Sequence, residues 1–80
     1  MSAIVGHLSL AALPEADKRV KLLRWQALGL QFTASGYGRR IPTAQQIRLH
    51  GRWRRVYACV FSNSGTCYVE QGVGWIVITD

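Results

Sequence analysis

The sequence is poor in acidic residues, and this scarcity is its most unusual bulk property. Four Asp or Glu stand against ten Lys or Arg in 80 residues, which gives a formal net charge of +6. A protein that imitates nucleic acid needs clustered carboxylates, so this balance excludes that class. A basic surface instead attracts polyanions, which include nucleic acid, an acidic protein face and an anionic membrane.

Long apolar runs and processing signals are also lacking. No stretch approaches the roughly 20 apolar residues that a transmembrane helix needs. Residues 1–13 are fairly apolar, but they carry no early Lys or Arg and are interrupted at Gly6-His7, which does not fit a secretory signal. We therefore expect a soluble protein of a reducing cytoplasm, either bacterial or that of a host, with no membrane partner.

Signatures of catalysis and metal binding are missing as well. The sequence has no nucleophile elbow, phosphate-binding loop or dinucleotide fingerprint. Its two Cys and two His match no zinc-binding spacing, so we expect no metal and no cofactor. Cys59 and Cys67 are expected to stay reduced, as cytosolic thiols usually do. We predict a binding protein and not an enzyme.

One helix is predicted near the start of the chain. The length suits a single domain covering residues 1–80 and is too short for two. Pro14 favours the first helical position, and Gly29 offers a stop, which predicts a helix over residues 14–28. The apolar residues at helical spacing that would form its buried stripe are Ala16, Val20, Leu23 and Ala27.

After Gly29 the pattern changes to one typical of strands. Turn residues are found at Gly51, at 62–65 and at Gln71-Gly72, and residues 36–40 favour a loop. The fold class predicted is α+β, with the N-terminal helix packed on a four- or five-stranded antiparallel meander over about residues 30–79. The predicted strands cover residues 30–35, 45–50, 52–61, 66–70 and 73–79.

The strongest local pattern is the arginine-rich run at residues 52–55. On a strand, alternate side chains point to opposite faces, so they can act together only at a strand end. The guanidinium fork suits phosphate and carboxylate, and an aromatic ring can stack on a base or anchor a protein interface. The alternative is that Trp53 belongs to the core and the arginines form a solvated strand end. The predicted partner-binding residues are Tyr37, Arg39, Arg40, Arg48, Arg52, Trp53, Arg54 and Arg55.

Four short stretches also carry a resemblance: TASGYG at 33–38, IPT at 41–43, GRWRRVY at 51–57 and SNSGT at 62–66. There the chain resembles small uncharacterised proteins of bacteriophages and related mobile elements, and the resemblance covers about residues 30–70. Type I anti-CRISPR proteins are a prominent class among phage proteins of this size.

This resemblance implies a non-enzymatic inhibitor. Such a protein would bind a Cas protein or a guide-loaded Cas complex and block the binding of target DNA. The alternative is a small phage protein that binds nucleic acid through the same arginine patch. A structural phage component or a toxin-like protein is a third, weaker hypothesis.

Overall fold

One six-stranded sheet dominates the computed structural model, which describes residues 3–32, 39–59 and 66–79. The strand order is β1-β6-β5-β4-β3-β2, and every neighbouring pair is antiparallel except β1 and β6, which run parallel. The described helical elements are short, namely two 3₁₀ turns, Leu10–Ala12 and Glu15–Asp17, and one helix, α1, Arg24–Ala27. The strands are β1 Ile4–Ser9, β2 Lys18–Val20, β3 Arg40–Leu49, β4 Arg52–Cys59, β5 Cys67–Gln71 and β6 Gly74–Thr79.

Two tight turns fix the register of the sheet. Between β3 and β4, His50 and Gly51 have φ of 52° and 77°, the left-handed pair that a type I′ hairpin requires. Between β5 and β6, Gly72 has φ of 59° at the first loop position. The predicted turn at Gly51 is confirmed, and the one predicted at Gln71-Gly72 lies one residue later, after β5 ends at Gln71. The strands β4, β5 and β6 lie close to their predicted places, whereas β3 begins at Arg40, five residues before the predicted strand. The predicted turn at 62–65 lies outside the described residues.

A bulge interrupts β3 between Pro42 and Gln46, where proline cannot donate to the ladder. The side chain of Thr43 bridges the gap by donating from Oγ1 to the Val56 carbonyl at 2.8 Å. Arg55 Nη1 donates to the Thr43 carbonyl at 2.9 Å and also to the Lys21 carbonyl. The guanidinium of Arg55 therefore stabilises the bulge.

The core lies on one face of the sheet, which we call the apolar face. Cross-strand register brings together four buried side chains, Ile47, Val56, Val69 and Ile78, each 9% exposed or less. The connection from β1 to β2 links the two opposite edges of the sheet, and Leu10 and Leu13 within it pack against this cluster. The core is therefore formed between the apolar face of the single sheet and the short β1–β2 connection that covers it.

The parallel pair β1–β6 depends on a close approach at Gly74. A Cβ atom there would lie 2.5 Å from Val5 Cγ1 and 2.6 Å from the Ala3 carbonyl oxygen. The same approach lets the Trp75 N–H donate to the Ala3 carbonyl at 2.9 Å. A side chain at position 74 would therefore push β1 away from β6.

The predicted helix over residues 14–28 is wrong. Residues 15–17 form a 3₁₀ turn, Lys18–Val20 forms β2 and pairs with β3, and α1 spans Arg24–Ala27. Val20, a member of the predicted apolar stripe, is 75% exposed. A stripe containing two alanines buries little apolar area, and a helix of this length is marginal without such burial, so pairing with the open edge of β3 prevails. No helix in the described ranges is long and apolar enough to cross a bilayer.

The antiparallel meander is wrong too. The sheet is mixed and has six strands, because β1 and β2 come from the part of the chain assigned to the terminus and helix. Residues 30–32 are not a strand, and the rest of the predicted strand at 30–35 lies outside the described residues. In the predicted loop at 36–40, Arg40 begins β3 and residues 36–38 are not described.

The two cysteines lie on opposite faces of the sheet. Cys67 pairs with Ala58, one residue before Cys59, and neighbouring residues on a strand point in opposite directions. No disulfide joins them. This arrangement follows from the register of β4 and β5.

Candidate functional site

The second face of the sheet carries rings and arginines. Tyr57 lies directly opposite Tyr68, and Trp75 lies opposite Glu70 on the adjacent strand. Strand alternation puts Trp53 on the same side as Tyr57. We call this side the aromatic face, and its rings, all half-buried, belong to Trp53, Tyr57, Tyr68 and Trp75.

One cluster on this face is centred on Arg40, and we call it the Arg40 cluster. Arg40 leaves β3 opposite Cys59, so its side chain reaches across β4 to the rings of β5 and β6. Its guanidinium carbon lies 4.5 Å from the centre of the Tyr68 ring and 4.4 Å from that of Trp75. The Tyr57 ring meets Trp75 edge to face, with centroids 5.6 Å apart. These contacts hold a cation against two aromatic surfaces.

A second cluster surrounds Trp53, and we call it the Trp53 cluster. The guanidinium carbon of Arg19 lies 4.0 Å from the centre of the Trp53 ring, and that of Arg48 lies 5.8 Å from it. Arg19 Nε also donates to Gln46 Oε1 at 2.7 Å. Arg48 donates to Asp17 Oδ1 from Nε at 3.0 Å and from Nη2 at 2.6 Å. Both arginines are therefore held in place beside the ring.

The chemistry of this face suits stacking and anion binding. Rings and guanidinium planes both stack on nucleic-acid bases, and the guanidinium groups attract phosphate. Two carboxylates lie nearby, Asp17 bound to Arg48 and the exposed Glu70 opposite Trp75. Within the described ranges no group of three or more His, Cys, Asp or Glu is placed to hold a metal ion.

The predicted site residues fall into different places. Arg40, Arg48 and Trp53 lie on the aromatic face, and Arg55 projects from the same side of β4 to the bulge. Arg52 and Arg54 lie on the other side of β4, where Arg54 Nη1 donates to the Glu70 carbonyl at 3.4 Å. The structure thus separates Arg55 from Arg52 and Arg54. Arg39 is exposed just before β3, and Tyr37 lies outside the described residues.

Four residues of the aromatic face were not among the predicted site residues. Tyr57 could have been found, because it shares a face with Trp53 on the predicted strand. The tight turn at Gly72 fixes the register of β5 and β6, and that register places Tyr68 and Trp75 on one side. Arg19 gave no such signal, because it lay within the predicted helix.

Comparison with protein-family models, with curated proteins and with solved structures found no match to this chain. The geometry of the aromatic face therefore carries the functional argument.

Proposed function

We propose that the protein binds single-stranded nucleic acid on its aromatic face. The observation that carries this proposal is the presence of two ring-and-arginine clusters on one face of the sheet, with rings that are half-buried. Base–aromatic stacking contributes about 1–3 kcal/mol per base and tolerates any base, because every base has a π face. The net charge of +6 adds attraction to the phosphate backbone.

The stacking chemistry of the face favours a single strand over a duplex. In a duplex the faces of the bases are hidden by stacking, whereas unpaired bases can be splayed onto rings. Trp53 and Tyr57 are four residues apart on β4, which places their Cα atoms about 13 Å apart at the usual strand rise. The two clusters are therefore expected to hold separate bases, with the intervening backbone lying near the arginines.

The direct test compares oligonucleotides of equal length by fluorescence anisotropy. We expect labelled single-stranded DNA and RNA to bind more tightly than the corresponding duplex. Removing one ring, by Trp53→Ala or Trp75→Ala, should weaken single-strand binding by about 1–3 kcal/mol, or roughly 5- to 150-fold.

Matched controls separate stacking from folding. Trp53→Phe keeps a ring and should retain most of the affinity, while Val73→Ala changes a 97% exposed loop side chain and should change nothing. Circular dichroism confirms that each variant is folded. Equal affinity for single strand and duplex, or folded ring variants that bind as well as the wild type, would refute the proposal.

A second candidate function, docking on a protein, is favoured by an exposed apolar segment at residues 20–32. Four of its side chains are largely exposed: Val20 at 75%, Leu22 at 56%, Leu28 at 63% and Leu30 at 59%. The segment also carries Lys21 and Arg24 and has no acidic residue. Large exposed apolar surface marks interaction sites, and these charges suit a partner with an apolar patch and an acidic rim.

Inhibition of a CRISPR surveillance complex is the form of this second candidate that the resemblance implies. Its test is binding to a purified, guide-loaded type I complex. A Leu28→Ser/Leu30→Ser double variant should weaken that binding while leaving affinity for free single strands unchanged. Failure of the folded wild-type protein to bind the complex or block its target DNA would count against this function alone.

A further inference from the structure

We propose that Arg40 is the residue that contacts a backbone phosphate, and that its guanidinium, held against the rings of Tyr68 and Trp75, takes one phosphate of the bound strand. The inference rests on the proposed binding of single-stranded nucleic acid and assigns the anion-binding position within that face. The Arg40 cluster would then provide two contacts to one nucleotide, namely rings that stack on the base and a cation that binds the adjacent phosphate.

Comparison of the arginines on the aromatic face identifies Arg40. Arg48 is bound to a carboxylate of Asp17 through two nitrogens, and Arg19 donates from Nε to the side-chain amide of Gln46. Arg55 donates to two backbone carbonyls at the bulge. Among the described residues, Arg40 contacts the two rings, and its Nε is shielded from solvent without a hydrogen-bond partner.

A shielded N–H without an acceptor is a costly arrangement. Desolvating such a donor is unfavourable unless an acceptor is supplied, and the donor here belongs to a charged group. The rings lie against the guanidinium carbon and Nε is shielded, so Nη1 and Nη2 are the groups that would meet a ligand. Two N–H groups of a guanidinium match two phosphate oxygens. An incoming phosphate would therefore bind through Nη1 and Nη2 and add an acceptor to a charged group whose Nε has none.

The position of Arg40 also gives the phosphate a fixed relation to a base. Tyr68 and Trp75 hold the guanidinium by cation–π contact, so its location is set by strands β5 and β6 and not by solvent. Glu70 pairs with Trp75 across β5 and β6, so its exposed carboxylate lies on the same face as the rings and would repel a phosphate near it. A strand bound here should keep its phosphate on the Arg40 side of the cluster.

The experiment measures how single-strand affinity depends on salt in three proteins: wild type, Arg40→Gln and Arg24→Gln. The last variant removes the same charge from the exposed Arg24 of α1, which belongs to neither cluster. At 0.1 M salt we expect Arg40→Gln to weaken binding about tenfold or more. Its slope of log affinity against log salt should fall by about 0.7, the value for one phosphate on a single strand. Arg24→Gln should keep the wild-type slope.

A substitution in the ligand makes the test independent of any effect on folding. Replacing phosphates one at a time by neutral methylphosphonate should reveal one position that lowers the wild-type slope. The same replacement should have no further effect in folded Arg40→Gln. Arg40→Lys, which keeps the charge and loses the fork, should retain the slope and lose part of the affinity.

Failure of the inference and failure of the proposed function give different results. If single strands bind but Arg40→Gln keeps the wild-type slope, Arg40 is not the phosphate contact and the proposed function stands. If single strands do not bind, tryptophan fluorescence is followed during titration with inorganic phosphate at constant ionic strength. A change in wild type that is absent in Arg40→Gln supports the anion site alone, and no change in either overturns it.

Discussion

The two faces of the sheet use the same strands for opposite purposes. The apolar face concentrates its burial in four aliphatic side chains that are nearly inaccessible to solvent. The aromatic face keeps larger side chains half-buried and holds them with cations in place of further apolar residues. Because neighbouring residues on a strand alternate between the faces, adjacent positions should separate folding from binding.

The largest effect is expected at the centre of the apolar face. Val69 is 0% exposed, so Val69→Asp would bury a charge without a partner, and we expect the domain to unfold. Its matched control is Val73→Asp, the same chemical change at a side chain that is 97% exposed, which should alter stability by about 0.5 kcal/mol or less. Thermal melts followed by circular dichroism measure both. Cooperative folding of Val69→Asp near the wild-type melting temperature would contradict this placement of the core.

An intermediate effect is expected where β1 joins the sheet. Gly74→Ala would place a Cβ against Val5 and the Ala3 carbonyl, and the resulting displacement should cost about 1–3 kcal/mol. Hydrogen exchange should show faster exchange in β1 than in β4. Gly6→Ala is the control, because its Cβ would lie 3.9 Å from Ile76 Cγ1, an ordinary contact. Equal destabilisation by the two substitutions would argue against the close approach at Gly74.

The smallest effect is expected at the ion pair between Asp17 and Arg48. The side chains are 24% and 46% exposed, so Asp17→Asn should change stability by less than about 1 kcal/mol. It also releases Arg48 beside Trp53, which should tighten single-strand binding slightly at low salt. Arg48→Gln breaks the same pair but should weaken binding. If both variants shift affinity in the same direction, Arg48 does not contribute to the aromatic face.

The C-terminal hairpins were predictable because their turns are encoded locally. The glycines at 51 and 72 adopt positive φ, and two-residue turns then determine which residues face each other. Residues 14–28 were not predictable in this way. Their helix-like spacing was overridden by long-range pairing between Lys18–Val20 and β3, which no local pattern reports.

The candidate site was predictable in part for the same reason. Arg48 and Trp53 follow from charge and strand alternation, and Arg40 follows from charge alone because the sequence favours a loop there. All three lie on the aromatic face. The Trp53 cluster also needs Arg19 on β2, which depends on tertiary pairing. Arg55 carries the charge expected of a binding residue, but its partners are backbone carbonyls at a bulge that the sequence did not indicate.

The parallel pairing of β1 with β6 has a consequence for the order of folding. The Thr79 hydroxyl donates to the Leu8 carbonyl across 71 residues of sequence, so this ladder can close only after the chain has been synthesised through β6. At the usual rates of about 5–20 residues per second, that takes roughly 4–14 s after β1 has been made. The β3–β4 hairpin needs only a two-residue turn, whereas β1 remains without its partner strand until β6 is available. Newly made chains are therefore most vulnerable to aggregation and proteolysis at β1.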